Sequence, residues 1–268
     1  MVAPDNSKPE METIFHYLDF NPEGSPAVLL LHGLGADCTS WGYQIPVLCE
    51  AGYRPIVPDL PGFGKSLAGS KQWTISRTAD DIARMVSKLT EQPVIAVGIS
   101  MGGTVALQMS LDFPWLVNKL VLVSTFARLR PKRFDEMGFL LGRFVIAQMR
   151  GKEYQAGLVA RRMFPHPDQE FLRNELIHQI LQSNEKVYRQ AMQSLALYDV
   201  RKRLVEIQIP TLVLSGENDS TVPLANQKEL ANGIRGAKHI VIADAGHAVV
   251  VDQVARFNSE LLAFIKTT

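Results

Sequence analysis

Seven short apolar runs return along this chain, and most of the stretches between them carry a helical period. The runs are TIFHYLDF (13–20), AVLLLH (27–32), YRPIVPD (53–59), PVIAVG (93–98), LVLVST (120–125), TLVLSG (211–216) and HIVIAD (239–244). AVLLLH is apolar throughout, as a strand covered on both faces must be, whereas TIFHYLDF alternates only in part. Residues 40–51, 76–90, 101–113, 224–234 and 250–266 have the spacing of helices. Strands alternating with helices predict an α/β fold, a mostly parallel central sheet with helices on both faces.

The rhythm breaks once. From about Phe126 to Leu197 no strand is readable, and helical segments are expected at 133–150, 152–163, 168–183 and 184–198, punctuated by RPKR and FPHPD. The chain therefore divides into a core (1–125), a helical cap (126–200) and the rest of the core (201–268). Placed above the strand ends, such an insertion would act as a lid.

Composition narrows the class. The 268 residues suffice for one large α/β domain or a core with a modest insertion, and 46% apolar with 21% charged residues supplies a core without a signature of disorder. A formal net charge of +1 gives no global attraction to nucleic acid or an anionic membrane. No apolar run approaches the roughly 18 residues of a membrane span, and the polar opening MVAPDNSKPE lacks a signal-peptide core. Cys38 and Cys49 have no metal-ligand spacing and read as free thiols on one helix. A cytoplasmic enzyme fits these features, and a monomer or homodimer acting on a small molecule is expected.

The chemistry is concentrated in VIAVGISMGGTV (94–105), where Gly98-Ile99-Ser100-Met101-Gly102 matches G-x-S-x-G and Gly103 extends it. A serine on a sharp strand-to-helix turn needs small neighbours, and the helix it opens directs N–H groups at developing negative charge. The pattern is weak by itself, but its context, an apolar strand before it and a helix after it, is present. A serine hydroxyl also needs a base. His247, in DAGHAVVVD after the last strand, would lie at the same carboxyl edge of the sheet. His16, His166, His178 and His239 are less well placed, and His32 reads as holding a loop by hydrogen bonds. The imidazole needs a carboxylate partner. Asp219 follows TLVLSG within GENDSTVP, and Glu217 and Asp244 are the less well-placed alternatives. HGLG (32–35) ends another core strand and can present the Leu34 N–H to Ser100, with the Met101 N–H as second oxyanion donor. A phosphate loop is the rival reading of these glycines, but the lysine and hydroxyl that should follow are missing.

HGLG, PDLPGFGKS (58–66), GISMGG, GENDSTVP and AGH fall in the order seen in α/β-hydrolase fold proteins, which the chain resembles except in its first ten residues and its insertion. It looks like the cofactor-free, lid-bearing serine hydrolases that include carboxylesterases, 3-oxoadipate enol-lactonases and carbon–carbon bond hydrolases. The resemblance implies Ser100 as nucleophile, Asp219 as acid, His247 as base, Leu34 and Met101 as oxyanion donors, and no metal or organic cofactor. Ser100 stands where epoxide hydrolases and haloalkane dehalogenases need an aspartate. Relatives with the acid after the sixth strand would place it near Ser124. HGLGAD departs from the fuller Gly-Pro-Gly loop of carbon–carbon hydrolases.

The expected reaction is hydrolysis of a carboxylic ester through an acyl-enzyme. The alternatives are a lactonase or carbon–carbon hydrolase with the same triad, and a non-catalytic receptor or scaffold on this fold. The insertion holds Met137, Phe139, Leu140, Leu141, Phe144, Met149, Met163 and Phe164, suited to packing and to an apolar substrate group. It also carries twelve Lys and Arg residues against eight acids, and one of its arginines, turned inward, would pair with a substrate carboxylate. Trp41 reads equally as a pocket border or as helix packing.

Overall fold

A computed structural model describes residues 15–129 and 151–267. Seven strands, β1 (Tyr17–Asp19), β2 (Ala27–Leu31), β3 (Arg54–Pro58), β4 (Val94–Ile99), β5 (Val117–Val123), β6 (Thr211–Gly216) and β7 (Lys238–Ile242), form one sheet in the order β1-β3-β2-β4-β5-β6-β7. All neighbours run parallel except β1, which pairs antiparallel with β3 at the edge.

The strands send successive side chains to opposite faces, and both faces are covered. Leu29, Leu31, Ala96, Leu120, Leu122 and Val213 pack on one side with α2 (Ile75–Leu89) and α3 (Met101–Asp112). Val28, Leu30, Val97, Val121, Val123 and Leu214 pack on the other with Trp41, Leu48 of α1 (Ile45–Glu50) and Phe257. This explains why the central runs are apolar at every position. At α2 the Thr74 hydroxyl caps the first turn by accepting the Arg77 N–H.

The insertion supplies α4 (Gly151–Met163), α5 (Glu170–Gln182) and α6 (Glu185–Leu197), followed by a 3-10 segment at Arg201–Glu206 that has no counterpart in the sequence reading. The helix expected at 133–150, with Met137, Phe139, Leu140, Leu141, Phe144 and Met149, lies outside the described residues. This helical layer is joined to the core loops by polar contacts. Gln179 Nε2 donates to Thr39 Oγ1 (2.9 Å) and Asp37 Oδ1 (3.2 Å), and the Asn184 N–H donates to the Gly62 carbonyl (2.9 Å). The core closes with α7 (Leu224–Gly233), α8 (Val249–Asp252) and α9 (Val254–Ile265).

Several boundaries differ from the expectation. The helix read over 40–51 is a 3-10 turn at Cys38–Trp41 and a separate α1, with Gly42 between them and Pro46 in the first turn of α1. Cys38 and Cys49 therefore sit on two elements rather than one helix, and both are free thiols. The helix read over 250–266 breaks at Gln253 into α8 and α9, and the last strand stops at Ile242 because residues 243–244 turn. Among the described residues no helix is long and apolar enough to cross a membrane.

The sheet order positions the site. From β2 the chain crosses to β3 on one side and then returns to β4 on the other. The loops after β2 and β4 diverge there, leaving a crevice at the carboxyl edge where α/β proteins bind ligands.

Candidate active site

Ser100 occupies the single residue between β4 and α3, with φ 53° and ψ −114°. A side chain in this region costs about 1–3 kcal/mol, so the surroundings must hold it. The Ser100 N–H donates to the Val123 carbonyl (2.9 Å), and the Ser100 carbonyl accepts from the Thr125 hydroxyl (2.7 Å) and the Thr104 N–H (3.1 Å). The flanking glycines supply clearance for backbone against backbone. A Cβ on Gly98 would lie 2.3 Å from the Gly102 carbonyl oxygen, and one on Gly102 would lie 2.1 Å from that of Leu31. Close approach of α3 to the ends of β2 and β4 is what the pattern encodes.

His247 and Asp219 meet from the loops after β7 and β6. The His247 Nδ1 lies 2.9 Å from Asp219 Oδ2 and 3.0 Å from Oδ1, with the two side chains 1% and 0% exposed. An ionised carboxylate only accepts, so the bond runs from a protonated Nδ1 to Asp219. Asp219 is itself fixed. Its Oδ1 accepts the Thr221 and Val222 N–H groups (2.8 and 2.9 Å), and its Oδ2 accepts Gln227 Nε2 (3.0 Å). Gln227, from α7, was not singled out by the sequence reading, because a glutamine on a helix gives no local signal of what it faces. Of the alternative acids, Glu217 accepts the Asp244 N–H (3.3 Å). Ser124, where some relatives would carry the acid, follows β5 and has a buried hydroxyl.

The loop after β2 borders Ser100: a Cβ on Gly33 would lie 3.7 Å from that of Ser100. His32 holds this loop, donating from Nδ1 to the Gly33 carbonyl (2.8 Å) and accepting the Leu60 N–H at Nε2 (2.9 Å). Burial lowers its pKa, against an opposing pull from the Gly33 carbonyl and Asp59, and both bonds suit the neutral ring. Met101 opens α3, so its N–H is among the four that have no partner within the helix.

Ser100, His247 and Leu34 share the lining of a cavity of about 440 Å³, within the range for small-molecule sites. Its far wall is apolar and comes from the helical layer, with Val159, Met163, Phe164, Leu172 and Leu176. The charged lining among the described residues is Arg162 and Glu175, of opposite sign. Arg162 donates through Nε to the Ser220 carbonyl (3.1 Å). Arg130, Lys132, Arg133, Arg143 and Arg150 lie outside the described residues. Trp41 is buried against Phe257, with ring centroids 6.4 Å apart, and is absent from the cavity lining, so of its two readings helix packing holds.

One group of potential metal ligands is present among the described residues: His16, Cys38 and Asp59 offer atoms within 4.8 Å of one another. The Asp59 carboxylate is already occupied, accepting the Cys38 N–H (2.7 Å), the Lys65 N–H (2.8 Å) and His16 Nδ1 (2.8 Å). Burial and the neighbouring carboxylate push the Cys38 thiol up to about 12. The group reads as a cross-link between the residue before β1 and the loops after β2 and β3.

A mostly parallel sheet with helices on both faces, a serine at the β4–α3 turn and a buried His–Asp pair whose histidine lines the same cavity fit the α/β hydrolase architecture. The chain belongs to the alpha/beta hydrolase fold family, whose model matches residues 26–254. It is 30% identical over 258 residues to a Variovorax paradoxus protein provisionally named carbamate hydrolase RutD, covering 93% of this chain and 95% of that one. It is 25% identical to 3-oxoadipate enol-lactonase 2 of Acinetobacter baylyi, covering 95% and 94% of the two chains. Among solved structures it superposes on an esterase from Exiguobacterium antarcticum with a TM-score of 0.86 and 26% identity, covering 95% and 96%.

Proposed function

We propose that this protein is a serine hydrolase that cleaves carboxylic esters through an acyl-enzyme. The observation that carries the reading is the buried His247–Asp219 pair opening, with Ser100, onto one apolar cavity. In this reading Asp219 holds the His247 tautomer, and Nε2 takes the Ser100 proton as Oγ attacks the ester carbonyl. The Leu34 and Met101 N–H groups receive the oxyanion. His247 then protonates the leaving alcohol and deprotonates the water that releases the acid. Residues 126–200 act as the lid, with α4 and α5 supplying the wall against which the substrate packs.

Relatives named as a carbamate hydrolase, an enol-lactonase and an esterase share this architecture, so the bond cleaved has to be argued from the lining. Arg162 is the one cation on the described wall; it is engaged by Ser220 and offset by Glu175, which favours a neutral ester over a dicarboxylate lactone. The test is a panel of p-nitrophenyl esters, a neutral lactone and an anionic enol-lactone, with Ser100→Ala as control. The expected result is ester turnover that Ser100→Ala abolishes. Turnover retained in Ser100→Ala would overturn the nucleophile assignment, and preference for the anionic lactone would replace the substrate class.

A further inference from the structure

A second carboxylate stands behind His247. Asp252, the last residue of α8, accepts the Gly246 N–H at Oδ2 (3.0 Å), so it holds the peptide immediately before His247. Its other oxygen accepts Gln169 Nε2 (3.1 Å), from a 3-10 turn (Pro167–Gln169) between α4 and α5 of the helical layer. The orientation of that amide is fixed, because Gln169 Oε1 accepts the His166 N–H (3.1 Å). Neither Asp252 nor Gln169 lines the cavity, whereas Val250 and Val251, just before Asp252, do.

We propose that Asp252 is a positioning residue for His247, anchoring the Gly246–His247 loop and tying it through Gln169 to the docked helical layer. The inference rests on the ester-hydrolase reading only for its kinetic part. Gly246 is gripped from two sides. Its N–H meets Asp252, and its carbonyl oxygen packs so close to Gly216 that a Cβ there would lie 2.0 Å away. The neighbouring Ala245 carbonyl accepts the Asn218 N–H (2.8 Å), which keeps the His247 and Asp219 loops in step. Of these contacts, the Asp252 carboxylate is the one that also reaches the insertion. A lid that opens at this corner therefore releases one side of the loop carrying the base.

The carboxylate also acts by charge. The groups bearing on Asp252 are His247, His166 and Asp219, with Gly246 and Gln169 as its donors. Burial raises its pKa, against the Gly246 N–H and the two histidines, which favour the ionised form. A negative Asp252 in turn favours the His247 imidazolium that forms as the serine proton is taken.

The test compares wild type with Asp252→Asn, Asp252→Glu and Gln169→Ala, each checked for a wild-type unfolding midpoint. The His247 ring C–H signal, identified by its loss in His247→Gln, is titrated by NMR, and kcat and KM are measured on a p-nitrophenyl ester. Asp252→Asn removes the charge with little change of shape. His247 should then lose its proton roughly half a unit to one unit lower in pH, less than loss of a contacting carboxylate would cause. The acid limb of the pH profile moves the same way, kcat falls about tenfold or more, and KM stays near wild type. Asp252→Glu restores the charge and recovers the wild-type midpoint. Gln169→Ala keeps the midpoint but lowers kcat several-fold. An unchanged midpoint and kcat in folded Asp252→Asn overturn the proposal, and an unchanged kcat in Gln169→Ala overturns the tie to the helical layer. If Asp252→Asn does not fold, the rescue by Asp252→Glu and the kcat of Gln169→Ala decide. If wild type turns over no ester, the function reading fails, while the NMR midpoints still decide what Asp252 does to His247.

Discussion

Replacing Ser100 with glycine should make the protein more stable while removing its activity. Ser100 sits at φ 53° and ψ −114°, a conformation that only glycine adopts without strain. Comparison with Ser100→Ala isolates the backbone, since both variants lose the hydroxyl and only alanine keeps the Cβ. Relief of strain is worth about 1–3 kcal/mol. Against it, glycine gives the unfolded chain more freedom, which costs about 0.4–1 kcal/mol. The net is roughly 1–2 kcal/mol in favour of glycine, or about 2–8 °C in Tm at 2–4 °C per kcal/mol. The missing Cβ leaves no sealed void, because Ser100 opens onto the cavity. Urea unfolding with calorimetry measures the difference, and a p-nitrophenyl ester assay confirms that neither variant turns over. If glycine is no more stable than alanine, the backbone at Ser100 is not strained and the reasoning from its positive φ is wrong.

Asp219→Asn keeps an acceptor for the Thr221 and Val222 N–H groups but can present an amide N–H to His247, favouring the wrong tautomer. In steady-state kinetics kcat should fall about 10⁴-fold with the fold intact, and a loss below tenfold would remove Asp219 from its role. The buried, neutral His32 gives the stability a pH dependence of definite sign. Its folded pKa is lowered, so below about pH 6.5 the unfolded chain takes up a proton that the folded one refuses. Stability is therefore fully present above that pH and declines as pH falls, by up to about 1.4 kcal/mol per unit, until the folded pKa is reached. His239, also lowered by burial, adds a slope of the same sign. Urea unfolding between pH 7.5 and 5.5 should show a shallower slope in His32→Gln than in wild type, and equal slopes would refute the assignment.

Much of the candidate site was legible because each residue follows a recognisable strand. Ser100 comes after PVIAVG, Asp219 after TLVLSG, His247 after HIVIAD and Leu34 after AVLLLH, and in a parallel sheet all such loops gather at one edge. The role of His32 was legible for the same reason, since a histidine at a buried strand end has only backbone to bind. Gln227 and Asp252 were not legible: each lies on a helix, and its partner arrives from 8 residues away in one case and 83 in the other. The break of 40–51 into two elements was missed because the apolar spacing continues across Gly42 and Pro46, although the helix does not.

The sequence by itself determined the α/β class, the break in its rhythm after residue 125 and the local turn that lifts Ser100 from the sheet. These depend on period, on side-chain size and on φ/ψ, all properties of neighbours along the chain. Only the tertiary structure decided that β4 lies beside β2, that Asp219 faces His247 at 2.9 Å, and that α4 and α5 line the same cavity as Ser100. Those contacts join residues tens of positions apart. No local pattern specifies them, because their energy exists only once the sheet has brought the loops together.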